Sequence, residues 1–121
     1  MKALLLVDHG SKLPEANDLL EQVAERFRAL GGFDIVKASH MELAPPTLGE
    51  AFDACAAAGA KDVTIALYFL GPGRHSSRDI PRMAEAAAKR HPGVTWRLTE
   101  PLGISGHVIE ALLERIREAR G

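Results

Sequence analysis

The stretch Val63-Thr64-Ile65-Ala66-Leu67-Tyr68-Phe69-Leu70, followed at once by Gly71-Pro72-Gly73-Arg74-His75, decides the fold. Its residues are nearly all apolar and rich in β-branched and aromatic types, which suits a strand covered on both faces. Gly-Pro-Gly then stops the strand. Downstream, Ile80, Met83, Ala84 and Ala87 recur at helical spacing within a predicted helix from about Ser77 to Arg90, closed by His91-Pro92-Gly93. Val94–Thr99 reads as another strand, and Val108, Ile109, Leu112, Leu113 and Ile116 stripe a final helix. Upstream, Thr47 and Glu50 have the spacing of a capping box and open a helix striped by Leu48, Ala51, Phe52 and Cys55. Before it lie a strand over Asp34–Ser39 and a helix carrying Leu19, Leu20, Val23, Phe27 and Leu30, with Pro14 in its first turn and Gly31-Gly32 at its end. Ala3–Val7 is a second short run of buried-strand type. The alternation is βαβαβαβα, which implies an α/β protein: a four-stranded parallel sheet with helices on both faces, in one domain over residues 1–121.

Composition narrows the partners. The chain has 121 residues, 46% hydrophobic and 26% charged, with a net charge of −1 and a pI near 6.5. That balance lacks the basic footprint of a nucleic-acid binder. No apolar run is long enough for a membrane span, and MKALLLVDHG lacks the long apolar region and cleavage site of a secretory signal. Cys55 is the sole cysteine, so neither an internal disulfide nor a thiolate-rich metal site is available. A cytoplasmic protein is expected. The small net charge conceals a split: residues 1–70 hold 6 Lys+Arg and 10 Asp+Glu, residues 71–121 hold 9 and 6.

Ligands of open parallel sheets bind outside the carboxyl ends of the strands. His9 follows the first predicted strand, His40 and Glu42 the second, His75 the third and Glu100 the fourth, while His107 opens the last helix on the same rim. Only His91 falls at the opposite edge. Imidazole with carboxylate suits a borderline divalent metal. His9, Glu42 and His75 together leave coordination positions open, as metal sites that do chemistry require. Taken singly, each has a plainer role: His9 as a turn residue, Glu42 as a solvated acid, His75 as a helix cap. Asp8 is expected to face away from His9, since strand neighbours alternate. The loops His9-Gly10-Ser11 and Gly71-Pro72-Gly73-Arg74 match no nucleotide-binding fingerprint and read first as tight strand-to-helix turns.

Val7-Asp8-His9-Gly10-Ser11, Met41-Glu42-Leu43-Ala44-Pro45-Pro46-Thr47-Leu48 and Pro72-Gly73-Arg74-His75-Ser76-Ser77-Arg78-Asp79-Ile80-Pro81, in this order at successive strand ends, resemble the CbiX/SirB family of class II tetrapyrrole chelatases. The resemblance runs from the first strand to at least Pro101-Leu102-Gly103. It implies insertion of Co²⁺, Fe²⁺ or Ni²⁺ into sirohydrochlorin or a close relative, with His9, Glu42 and His75 as metal and catalytic residues. The metal ion is then a substrate, and no organic cofactor is implied. The tetrapyrrole carries several carboxylates, which Ser11, Lys12, Arg74 and Arg78 at two helix starts are placed to receive. Short members of the family are homodimers, and longer ones hold two such domains around one cavity. Two positions depart from the family pattern: Asp8 stands where Gly is common, and Pro45 where an acid often follows Leu-Ala. Both bear on metal and substrate preference. A non-catalytic metal-binding or delivery protein using the same residues is the competing reading. A phosphoryl-transfer enzyme with His9 as nucleophile is a third, and it requires a clustered arginine pocket that the sequence does not supply.

Overall fold

The computed structural model describes residues 1–73 and 76–121. Its elements follow the expected alternation: β1 (Lys2–Asp8), α1 (Pro14–Leu30), β2 (Ile35–His40), α2 (Leu48–Ala57), β3 (Asp62–Leu67), α3 (Ser76–Lys89), β4 (Thr95–Leu98) and α4 (Gly106–Arg120). The four strands form one sheet in the order β2-β1-β3-β4, every pair parallel. The fold class read from the sequence is the one observed.

Strand order explains which face each helix takes. The chain steps from β1 to β2 in one direction across the sheet and from β2 to β3 in the other. Right-handed crossovers in opposite directions put their helices on opposite faces. Accordingly Leu4 and Leu6 of β1 pack with Leu20 and Ala24 of α1 and with Val36. Ala3, Leu5 and Val7 pack on the other face with Val63, Ile65, the α2 residues Leu48, Phe52 and Cys55, and the α3 residues Ile80, Ala84 and Ala87. β1 is thus covered on both sides, which accounts for its unbroken apolar run. Phe52 is fully buried, a burial contributing about 1.5–3 kcal/mol.

Local signals hold where they are short-range. Pro14 occupies the first turn of α1. Thr47 and Glu50 form the reciprocal capping box, at 3.1 Å from Glu50 N to Thr47 Oγ1 and 2.8 Å from Thr47 N to Glu50 Oε1. Strand ends differ slightly. β3 stops at Leu67, where the expected strand ran to Leu70: beyond it Tyr68 still donates to Val7 O, but the carbonyls of Phe69 and Leu70 turn to accept from Leu102 and Gly103.

α4 is the larger departure. Its apolar stripe forms as the spacing predicts, yet the helix has no buried residue. The bonds Leu102 N→Phe69 O (2.8 Å) and Gly103 N→Leu70 O (2.7 Å) carry the chain past the rim of the sheet, so α4 starts beyond the strand ends instead of turning back over them. No helix among the described residues is long and apolar enough to cross a membrane.

Candidate functional site

Neighbouring crossovers diverge between β1 and β3, and the gap between their carboxyl ends is where open parallel sheets take ligands. His9 stands there, just past β1. Its imidazole is exposed and stacks on Phe69, which follows β3 and is buried, with ring centroids 4.2 Å apart and planes 13° from parallel. Stacking fixes the plane of the imidazole while leaving its nitrogens at the surface. The loop after β3 runs nearby: a Cβ added at Gly73 would come within 3.9 Å of His9 Cε1.

Glu42 reaches the same rim through backbone pairing that outlasts the strands. Met41 N donates to Asp8 O at 2.8 Å and Glu42 N to His9 O at 3.1 Å. This approach depends on Gly10. Its φ is +86°, and a Cβ there would lie 1.8 Å from the Glu42 carbonyl oxygen, so only glycine fits. The next residue, Leu43, has φ +70°, uncommon for a non-glycine. The turn is closed by His40 N→Pro46 O at 2.9 Å and a bridge between His40 and Thr47. Glu42 is exposed, so its carboxylate, like the His9 ring, faces outward.

Beneath this rim lies a buried pair. Asp8 faces away from His9, as strand alternation requires, and one of its oxygens accepts from Gly10 N at 3.0 Å and meets His40 Nδ1 at 2.5 Å. His40 is buried, so it braces the loops that carry His9 and Glu42. The pair follows from the register Asp8↔His40.

The remaining expected residues fall as follows. Ser11 is tied to Asn17 by two bonds, Ser11 N→Asn17 Oδ1 (2.9 Å) and Asn17 Nδ2→Ser11 O (2.8 Å), and its hydroxyl accepts from Leu13 N. Lys12 is exposed beside it. Arg78, on the first turn of α3, is exposed and bonds Asp79 at 3.2 Å. Arg74 and His75 lie outside the described residues. Among the described residues no three His, Cys, Asp or Glu side chains converge as a metal cluster. A cavity of about 230 Å³ opens beside the rim between Pro72, Ser76, Pro81 and Glu100, and one of about 380 Å³ behind His40 between Asn17, Glu21, Lys37 and Pro45. Neither includes His9 or Glu42, so a ligand meets those two from the open side. Phe69, Gly10 and the Asp8–His40 pair are the site features that sequence spacing did not point to. Pairing β1 with β2 in register would have revealed the last.

At the far edge, His91 lies just past α3 and bonds Asp53 at 2.7 Å. That bond, aided by Arg90, holds the Asp53 carboxyl below the usual range. Burial in the α2 stripe pushes the Cys55 thiol up to about 11, consistent with a packing role rather than a ligand.

The fold defines a four-stranded parallel α/β protein with an exposed histidine and an exposed carboxylate on the rim at the carboxyl ends of its strands. A sequence profile of the CbiX family matches residues 3–119. The chain belongs to that family. It is 40% identical over 114 residues to the chloroplastic sirohydrochlorin ferrochelatase of Arabidopsis thaliana, covering 94% of this chain and 51% of the relative. With the sirohydrochlorin cobaltochelatase of Methanopyrus kandleri it shares 32% identity over 141 aligned positions, covering 100% of this chain and 99% of that one. The crystal structure of the sirohydrochlorin chelatase SirB from Bacillus subtilis subspecies spizizenii, in complex with cobalt, superposes with a TM-score of 0.90 at 29% identity, covering 97% of this chain and 50% of that chain. The chain therefore spans about half the length of the Arabidopsis and Bacillus proteins and nearly all of the Methanopyrus one.

Proposed function

We propose that this protein is a sirohydrochlorin chelatase acting as one domain over residues 1–121, inserting cobalt, iron or nickel as the divalent ion. The observation that carries the reading is an exposed imidazole, His9, held flat by Phe69 at the divergence of the sheet, in a chain of the CbiX family. His9, Glu42 and His75 hold the ion. The ion sheds water as they bind it and stays open on the side facing the macrocycle. Insertion removes two pyrrole N–H protons: an imidazole not holding the ion accepts one, and solvent at the open rim takes the other. Glu42 offsets the ion's charge while it waits. The substrate's carboxylates are received by Ser11, Lys12, Arg74 and Arg78, with the start of α1 adding its partial positive charge. Because His9 and Glu42 stand on an open rim, one copy supplies one wall of the site. The working form is a cytoplasmic homodimer, with no organic cofactor.

The test is direct. Protein mixed with sirohydrochlorin and Co²⁺ converts the free-base absorption spectrum faster than a protein-free control, and His9→Ala or His75→Ala slows that conversion by about 10²-fold or more. Conversion at the control rate overturns the chelatase reading. Normal metal binding by both variants overturns the ligand set. Binding of Co²⁺ without conversion leaves a metal-delivery protein.

A further inference from the structure

The turn after β2 carries at its tip a side chain that the fold itself does not use. His40 N→Pro46 O, at 2.9 Å, closes the turn, and Glu42 N→His9 O, at 3.1 Å, holds its leading arm against the loop after β1. Met41 points inward and is buried, and Glu42 points outward. Strand alternation would send Leu43 inward again with Met41. Instead its φ of +70° breaks the alternation, and Leu43 stays on the open side with Glu42, 59% exposed and in neither core cluster. Leucine adopts this backbone region only under strain, whereas Gly or Asn enters it readily. A strained backbone and an exposed large apolar side chain therefore coincide at one residue, and neither stabilises the free chain. Strain of this kind collects where a folded chain holds a ligand.

We infer that Leu43 is a substrate-contacting residue: its side chain meets the apolar face of the flat, conjugated macrocycle and sets how tightly that ring is held, leaving the ion to its ligands. The inference rests on the chelatase reading above and adds a contact to it. Its chemistry complements the charged contacts. Cations receive the carboxylates at the edge of the ring, but the broad face is uncharged, and covering it with carbon removes it from water. On this arm of the rim the neighbouring group is the Glu42 carboxylate, which repels the ring's own acids and offers its face nothing apolar. One face of the His9 imidazole is already taken by Phe69. Leu43 is the exposed apolar group next to that carboxylate, in a turn whose backbone is bonded to His9. The left-handed turn is what brings it to the same side as Glu42, so ring contact and ion contact are supplied by consecutive residues.

Leu43→Asn keeps the left-handed backbone and removes the apolar side chain. Sirohydrochlorin is titrated into each protein without metal, Co²⁺ is titrated without sirohydrochlorin, and insertion is then timed at saturating Co²⁺. Leu43→Asn weakens sirohydrochlorin binding and raises its KM about tenfold, while kcat and the affinity for Co²⁺ alone stay within about twofold of wild type. Its urea midpoint equals or exceeds that of wild type, since strain is relieved. Leu43→Met restores binding. Leu30→Asn, at a leucine 78% exposed at the other end of α1, changes neither binding nor KM. Unchanged sirohydrochlorin binding in Leu43→Asn overturns the contact and leaves the chelatase reading. So does a weakened affinity for Co²⁺ alone, which makes Leu43 a support for Glu42, or a lowered urea midpoint, which makes it a structural residue. A changed mass on gel filtration assigns Leu43 to a contact between copies and overturns the inference too. Wild type that binds sirohydrochlorin but inserts cobalt no faster than the control overturns the chelatase reading alone, and the binding titration still decides the contact. Wild type that binds no sirohydrochlorin overturns both.

Discussion

The two ends of the sheet are built on different terms. Around β1, β2 and α2 the chain settles its contacts internally. Leu5, Val7, Phe52 and Ile65 have no exposed surface, the loops beyond the strands are hydrogen-bonded to one another, and a buried Asp8–His40 pair lies beneath them. Around β4 and α4 it does not: β4 has four residues, none buried, and α4 buries nothing although it repeats an apolar stripe over four turns. The same chain thus holds a finished core and an unfinished one. The lesson is that amphipathic spacing reports a demand for cover without saying which surface meets it.

That contrast is open to measurement. Phe52→Ala, in the finished core, lowers unfolding free energy by about 3–5 kcal/mol at any protein concentration, read as a shift in the urea midpoint. A loss under 1 kcal/mol there would erase the distinction. Cys55, on the same helix, gives a pH signature. Its thiol is pushed up to about 11 in the folded chain and ionises near 9 when unfolded. The stability from its burial is therefore complete below pH 9 and declines as pH rises toward 11. Urea midpoints at pH 8 and 10.5 should differ by about 2 kcal/mol from this source, and Cys55→Ala should remove that part of the pH dependence. Ile109→Ala, in the unfinished region, is the smallest effect: under about 0.5 kcal/mol at nanomolar concentration. A cost equal to that of Phe52→Ala at nanomolar concentration would show α4 packed within its own chain.

Much of this was legible in the residues. The continuous apolar runs of β1 and β3 announced strands buried on both faces, and Thr47 with Glu50 announced the start of α2, because both signals are complete within a few positions. The order β2-β1-β3-β4 set the rim on which His9 and Glu42 meet, and the alternation of elements was enough to place them there. What stayed hidden depends on register or on distant backbone. Gly10 looked like an ordinary turn glycine until the Glu42 carbonyl came to rest where its side chain would be. His40 became a brace only because it pairs with Asp8 across two strands. Phe69 was read as the end of a strand, and its stacking on His9 arises because β3 stops two residues earlier.

The central place of β1 also sets the order in which the chain can assemble. Ala3 pairs with Ile35 on one side and with Val63 on the other, so β1 can acquire its β2 neighbour before its β3 neighbour, which comes only after α2. Until then the β1–α1–β2 unit presents a bare edge along Leu4, Leu5 and Leu6. Parallel pairing over such separations closes long loops before it gains contacts, which slows folding. The interval between the two pairings is the period in which a growing chain is most exposed to sticking to its neighbours.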